Sequence, residues 1–150
     1  MTLVERAKKP VYKHVWFWLP AIAALIAVAS WLRSPEVMFR LNRGKFEQAA
    51  QDMLAERETD VKIFGVHDID IWGFDDGAMV EFTTGGFGIA PASFYSGVYY
   101  SADGGPKPFQ NSDNELIPDG DGWVWQEEGS DNRGETYPLG GGWYTFEAGL

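Results

Sequence analysis

The chain has no cysteine. That excludes disulfide staples, zinc–thiolate and iron–sulfur centres, and a cysteine nucleophile. Histidine is nearly as scarce. Only His14 and His67 offer an imidazole, a poor provision for a two-histidine metal site or for Ser-His-Asp chemistry. Positive charge runs out along the chain. Residues 60–150 hold three basic residues, Lys62, Lys107 and Arg133, against sixteen acidic ones, net −13. Residues 1–59 hold nine basic and six acidic, net +3. So acidic a domain repels nucleic acid and anionic headgroups, and no nucleic-acid partner is expected. Cations, basic proteins and neutral molecules remain. The same charge also serves simply to solubilise an aromatic-rich domain.

One stretch lacks charge altogether. No Asp, Glu, Lys or Arg lies between Lys13 and Arg33. Residues 15–32 would form about 27 Å of helix at ~1.5 Å per residue, close to a hydrocarbon core of roughly 30 Å. Trp16 and Trp18 stand near one end and Trp31 near the other, as interfacial indoles do. Pro20 is tolerated in lipid. The expectation is a transmembrane helix over 15–32 in contact with the bilayer, preceded by a short basic cytoplasmic tail, 1–14. This is the pattern of a single-pass signal anchor in a cell membrane. Two alternatives stay open: cleavage after Ala29 in Ala27-Val28-Ala29, and a buried soluble helix. Ala23, Ala27 and Ser30 also make a small-residue face suited to helix pairing. Basic residues flank both ends, so the positive-inside count is nearly a tie. The short basic N-terminus and the acidic remainder favour an extracytoplasmic C-terminal domain.

Residues 33–59 read as a helical connector. Ser34-Pro35-Glu36 has the N-cap, N1 proline and first-turn acid of a helix start. Asn42-Arg43-Gly44 interrupts the pattern. Phe46, Ala49, Ala50, Met53 and Leu54 then recur at helical spacing, predicting an amphipathic helix over 45–57 that covers one sheet face.

From Asp60 the period becomes two. Strands are expected over 61–66, 68–72, 78–83, 97–101, from Trp123, and over 142–147, with turns at Asp75-Asp76-Gly77 and Gly85-Gly86. Residues 102–122 form a loop rich in Asp, Asn, Gly and Pro. The predicted class is α+β: a transmembrane helix, a short amphipathic helix, then an antiparallel β meander of about 5–7 strands forming an acidic, aromatic-rich domain over 60–150.

Three constellations carry candidate chemistry. Asp113, Asp119 and Asp121 resemble calcium ligands. EF-hand spacing fails, because position 6 is Val124 counted from Asp119 and Leu116 counted from Asn111. An irregular calcium cage of those three carboxylates remains a candidate, beside the plainer reading of a solvated turn. Glu127 and Glu128, adjacent on a strand, would point to opposite faces. They are therefore no acid–base pair for glycoside hydrolysis, although Glu81, Asp131 and Glu147 could combine across strands. His67 reads as a structural histidine. The aromatics are the richest signal. Residues 60–150 hold four Trp, five Tyr and seven Phe. Tyr99, Tyr100, Trp123, Trp125 and Trp143 place rings on both faces of their strands. Any outward surplus suits sugar stacking or a protein hot spot. Alternatively, a helix on one face and loops on the other bury both sets. Gly85 to Pro91 lacks the lysine and following helix of a phosphate loop.

Gly86 to Ser101, with Pro118-Asp-Gly-Asp-Gly-Trp123, Asp131-Asn-Arg-Gly134 and Trp143 to Ala148, resembles small bacterial proteins with one N-terminal membrane segment. The resemblance implies architecture and bacterial origin, with no activity or site residue attached. Three functions stand open: a non-enzymatic, membrane-anchored envelope protein whose β domain binds a protein or glycan; a calcium-dependent or carboxylate-based cell-wall glycan hydrolase; and a structural subunit associating through 15–32. No cofactor is expected unless calcium binds.

Overall fold

The computed structural model describes residues 12–55, 59–75, 77–89, 92–110 and 112–150. The chain divides into two compact units, at residues 33 and 34. In the first, helix α1 spans Tyr12–Leu32 with Pro20 inside it. Trp18, Leu25, Ile26 and Trp31 are exposed along it. Among the described residues no single helix is long and apolar enough to cross a membrane; Trp18–Leu32 reaches that only together with Pro35–Leu54, by length and composition.

The second unit opens with α2, Pro35–Leu54. The Ser34 hydroxyl accepts a hydrogen bond from the Val37 amide at 3.4 Å, capping the first turn. The helix is therefore longer than the predicted 45–57. Asn42-Arg43-Gly44 bends it without ending it: Asn42 leaves helical geometry at φ −123°. The Asn42 side-chain amide donates to the Met38 carbonyl one turn back at 3.1 Å, tying the two sides of the kink. Phe46, Ala49 and Ala50 are buried on the inner face, as their spacing predicts.

Seven strands follow: β1 (Asp68–Phe74), β2 (Gly77–Ile89), β3 (Ala92–Ser101), β4 (Ile117–Asp119), β5 (Gly122–Gln126), β6 (Arg133–Gly140) and β7 (Trp143–Gly149). They form one sheet in the order β1-β2-β3-β7-β6-β5-β4, and every neighbouring pair is antiparallel. The class is α+β, as expected, but the sheet is not one continuous meander. Two meanders meet at β3 and β7, because the segment from 102 to 116 crosses the sheet and delivers β4 to the far edge. The C-terminal strand is consequently central.

Three local expectations are corrected. Residues 61–66 are not a strand; Ile63 is buried in the α2 cluster with Val61 and Val66 beside it, while Phe64 stands exposed. Gly85-Gly86 is not a turn. β2 runs on to Ile89 through a register shift between Thr83 and Gly85, a bulge that a flexible residue accommodates. Arg133–Gly140, where no strand was expected, pairs with both β5 and β7.

Alternation along the strands makes two cores. On one face α2 lays Phe39 and Phe46 against Val80, Phe82, Val98 and Trp143. Phe39 lies 4.8 Å from Trp143 and Phe46 5.0 Å from Phe82, between ring centroids. On the other face Met79, Tyr99, Tyr144, Phe146 and Trp125 pack beneath Phe109 of the crossing segment. That segment is pinned by polar contacts. Tyr144 donates to the Gly104 carbonyl at 2.6 Å, and the Lys107 amide donates to the Tyr99 hydroxyl at 2.9 Å. The buried Lys107 ammonium pairs with Asp103 at 3.0 Å.

Candidate functional site

α2 covers only part of its sheet face. Its aromatic contacts reach β2 and β7 near Phe82 and Trp143. Further along the same face the sheet is open. Phe87 and Phe94 stand opposite each other in the β2–β3 register, 70% and 45% exposed. Ile117 on β4 and Tyr137 on β6 are also exposed. Between Phe94, Ile117 and Val124 runs a groove of about 530 Å³ whose floor includes Arg133, Glu135 and Glu147. A second hollow of about 530 Å³ shares Phe94 and Arg133 with it and extends to Phe87 and Asp131.

The electrostatics of this groove are unusual for an open surface. Glu135 and Glu147 are direct cross-strand partners in the β6–β7 register. Like charges placed so are destabilising. Partial burial and then the Glu135 charge raise the Glu147 carboxyl above its ordinary value. The Tyr137 hydroxyl donates to Glu135 at 3.1 Å.

A second site lies on the opposite face, where the crossing segment does not seal the sheet. Trp72, Phe109 and Trp125 wall a cavity of about 340 Å³, with Gln110, Ser112 and Asn114 along one side. The Trp72 Nε1 and the Ser112 Oγ are both buried and have no hydrogen-bond partner among the described residues. Next to Trp72 along this face is Glu81, 2% exposed, whose Oε2 also lacks a partner among the described residues. Burial pushes the Glu81 carboxyl up to about 7, helped by Asp70 and Asp68 and opposed by hydrogen bonds from the Gln110 backbone and Thr83. Gln110 holds a left-handed φ of 54°, the one such non-glycine among the described residues. At the rim Glu127 is already engaged: its Oε2 accepts from the Ser130 hydroxyl at 2.7 Å and the Asn132 amide at 2.6 Å.

The five aromatics singled out from sequence do not make one outward platform. Tyr99 is core, stacked on Tyr144 at 5.1 Å with its hydroxyl on Thr136 at 2.9 Å. Trp143 is core beneath α2, and Tyr100 is half-buried against it at 5.2 Å. Trp123 is half-buried, edge-on to Tyr144. Trp125 is buried but reaches the cavity wall. Among the described residues of the β domain the exposed rings are instead Phe64, Phe87, Phe94 and Tyr137, which nothing in their spacing distinguishes from core positions.

The acidic candidates also disperse. Among the described residues no three His, Asp or Glu side chains gather as a metal site, so Asp113, Asp119 and Asp121 form no cage there. Asp119 pairs with Gly122 across a two-residue hairpin, and Gly120 supplies the left-handed φ of 56° that the turn needs. Glu127 and Glu128 lie in the β5–β6 turn rather than on a strand. Glu81 and Glu147 belong to opposite faces of the sheet, so the grouping of Glu81, Asp131 and Glu147 does not assemble. His67 is exposed, and its backbone amide bonds the Thr83 carbonyl at 2.8 Å.

Comparison with known protein families, curated proteins and solved structures finds no match.

Proposed function

We propose that the chain is a non-enzymatic, membrane-tethered binding protein. α1 lies in the bilayer, the β domain stands outside the cell membrane, and the open half of its sheet docks a protein partner. That partner presents Lys or Arg among apolar side chains. The observation that carries the reading is the Glu135–Glu147 pair set among exposed Phe94, Ile117 and Tyr137. Two carboxylates held face to face repel each other, and an incoming cation relieves that repulsion. Rings beside them supply the apolar area from which interface hot spots are built. The absence of charge between Lys13 and Arg33 supports the tether.

The test uses full-length protein in nanodiscs and two designed peptides, one of alternating Lys and Phe, the other of alternating Glu and Phe. The Lys peptide should bind and weaken steeply with salt. The paired variant Glu135→Gln, Glu147→Gln should weaken it about tenfold or more, as should Phe94→Ala. Equal binding of both peptides, or binding unmoved by these variants, would remove the docking surface.

A further inference from the structure

We propose that the outer edge of β2 over residues 85–89 takes up an extended, acid-free segment of a partner protein as an added β-strand. This goes beyond the docking reading and does not depend on the Glu135–Glu147 pair. β1 covers that edge only as far as Thr83, which faces Asp68 in the register. From Gly85 to Ile89, β2 pairs with β3 alone among the described residues. The chain ahead of β1 does not close the gap. It turns toward α2, where Ile63 enters the core cluster and Gly65 lies beside the Met38 side chain. Five residues of backbone therefore keep one free flank, whose N–H and C=O groups match those of another strand.

The two ends of the sheet are guarded and this overhang is not. β1 carries Asp68 and Asp70, and β4 has three residues, one of them Pro118. Charge, proline and shortness are the usual blocks to strand addition. Residues 84–89 contain no charge and no proline, and no charged residue at all lies between Glu81 and Asp103. Gly85, Gly86 and Gly88 carry no side chain, as suits a strand that another backbone approaches closely. Among them Phe87 stands 70% exposed, free to pair across the new ladder with a β-branched or aromatic side chain. Charge then chooses among the occupants. Residues 60–150 carry net −13, so an acidic strand is repelled, and two copies of this chain would set two such domains edge to edge. A neutral or basic extended segment of another protein meets neither penalty, and main-chain pairing with a pocket for one side chain is how such segments are held.

The experiment follows the backbone amides of Gly85, Gly86 and Gly88 in ¹⁵N-labelled full-length protein in nanodiscs. The probe is a peptide of alternating Thr and Val flanked by Lys. A second peptide carries N-methyl groups throughout that core, which removes its backbone donors and keeps its side chains. The expected result is a saturable shift of the three amides with the first peptide, and slowed hydrogen exchange across 85–89. The N-methyl peptide should bind about tenfold more weakly or less. Phe87→Ala, a change at an exposed ring, should weaken the first peptide about three- to tenfold. A Glu-flanked twin should bind several-fold more weakly, and equal binding would overturn the exclusion of acidic partners. Equal binding of the plain and N-methylated peptides, or no response of 85–89 to either, would overturn strand addition and leave the docking surface standing. Shifts confined to Arg133, Glu135 and Glu147 would place the peptide in the groove and overturn it as well. Slowed exchange at 85–89 without peptide, rising with the number of chains per nanodisc, would overturn the partner assignment in favour of a second copy.

Discussion

At the scale of single residues, Glu81 is a carboxyl buried at a cost. It sits on β2, next to the edge strand, at 2% exposure with one carboxylate oxygen unpartnered among the described residues. Its proton is held to about 7 in the folded state against an ordinary value of 4.5. The folded protein therefore binds more protons than the unfolded chain between those values, and stability falls as pH rises through that window. The contribution is absent below the unfolded value and fully present above about 7, on the order of 3 kcal/mol. Glu81→Gln keeps the shape and removes the charge. It should gain about 1–3 kcal/mol at pH 8 and little at pH 5. Chemical denaturation of detergent-solubilised protein at the two pH values measures this, and an equal change at both would refute it. No pattern of letters marked Glu81 as buried. Its alternation with Val80 and Phe82 predicted only that it faces away from α2; the segment that covers it comes more than twenty residues later.

At the scale of elements, α2 does the most for the fold. Its inner face was legible because Phe46, Ala49 and Ala50 recur at helical spacing. Its true start was legible too, in Ser34-Pro35-Glu36. Asn42-Arg43-Gly44 looks like a break in the letters, but the helix continues through it as a bend, with the Asn42 side chain bonded to the Met38 carbonyl. Phe46 is fully buried and touches Phe39, Phe82 and Trp143. Phe46→Ala should cost about 3–5 kcal/mol, as large-to-small core changes do. Glu36→Ala, which breaks only an exposed pair with Arg40, should cost a few tenths. Parallel denaturation curves give both, and similar losses would mean that α2 is not the lid of this core. The strands divide in the same way. Val80 and Phe82, Ile69 and Ile71 alternated visibly. The run 61–66 alternated as well, yet it has no strand neighbour and packs as an irregular strap.

For the whole molecule, the central inference is one of solvent: α1 exposes Trp18, Leu25, Ile26 and Trp31, while the β domain carries the negative charge. The prediction is that full-length protein stays with the membrane fraction after an alkaline carbonate wash. Uncleaved, folded protein left in the supernatant would sink the tether. The sequence by itself settled the α+β class, the capped covering helix, the turn-rich acidic sheet and the poverty of thiol and imidazole chemistry. These follow from local periodicity and composition, which each stretch carries on its own. Only the tertiary structure decided that β7 lies between β3 and β6, that Tyr99 and Trp143 are core while Phe87 and Phe94 are open, and that Trp72 and Ser112 share a cavity. Those facts depend on which distant segment covers which face, and alternation tells a side chain's face without telling what, if anything, lies on top of it.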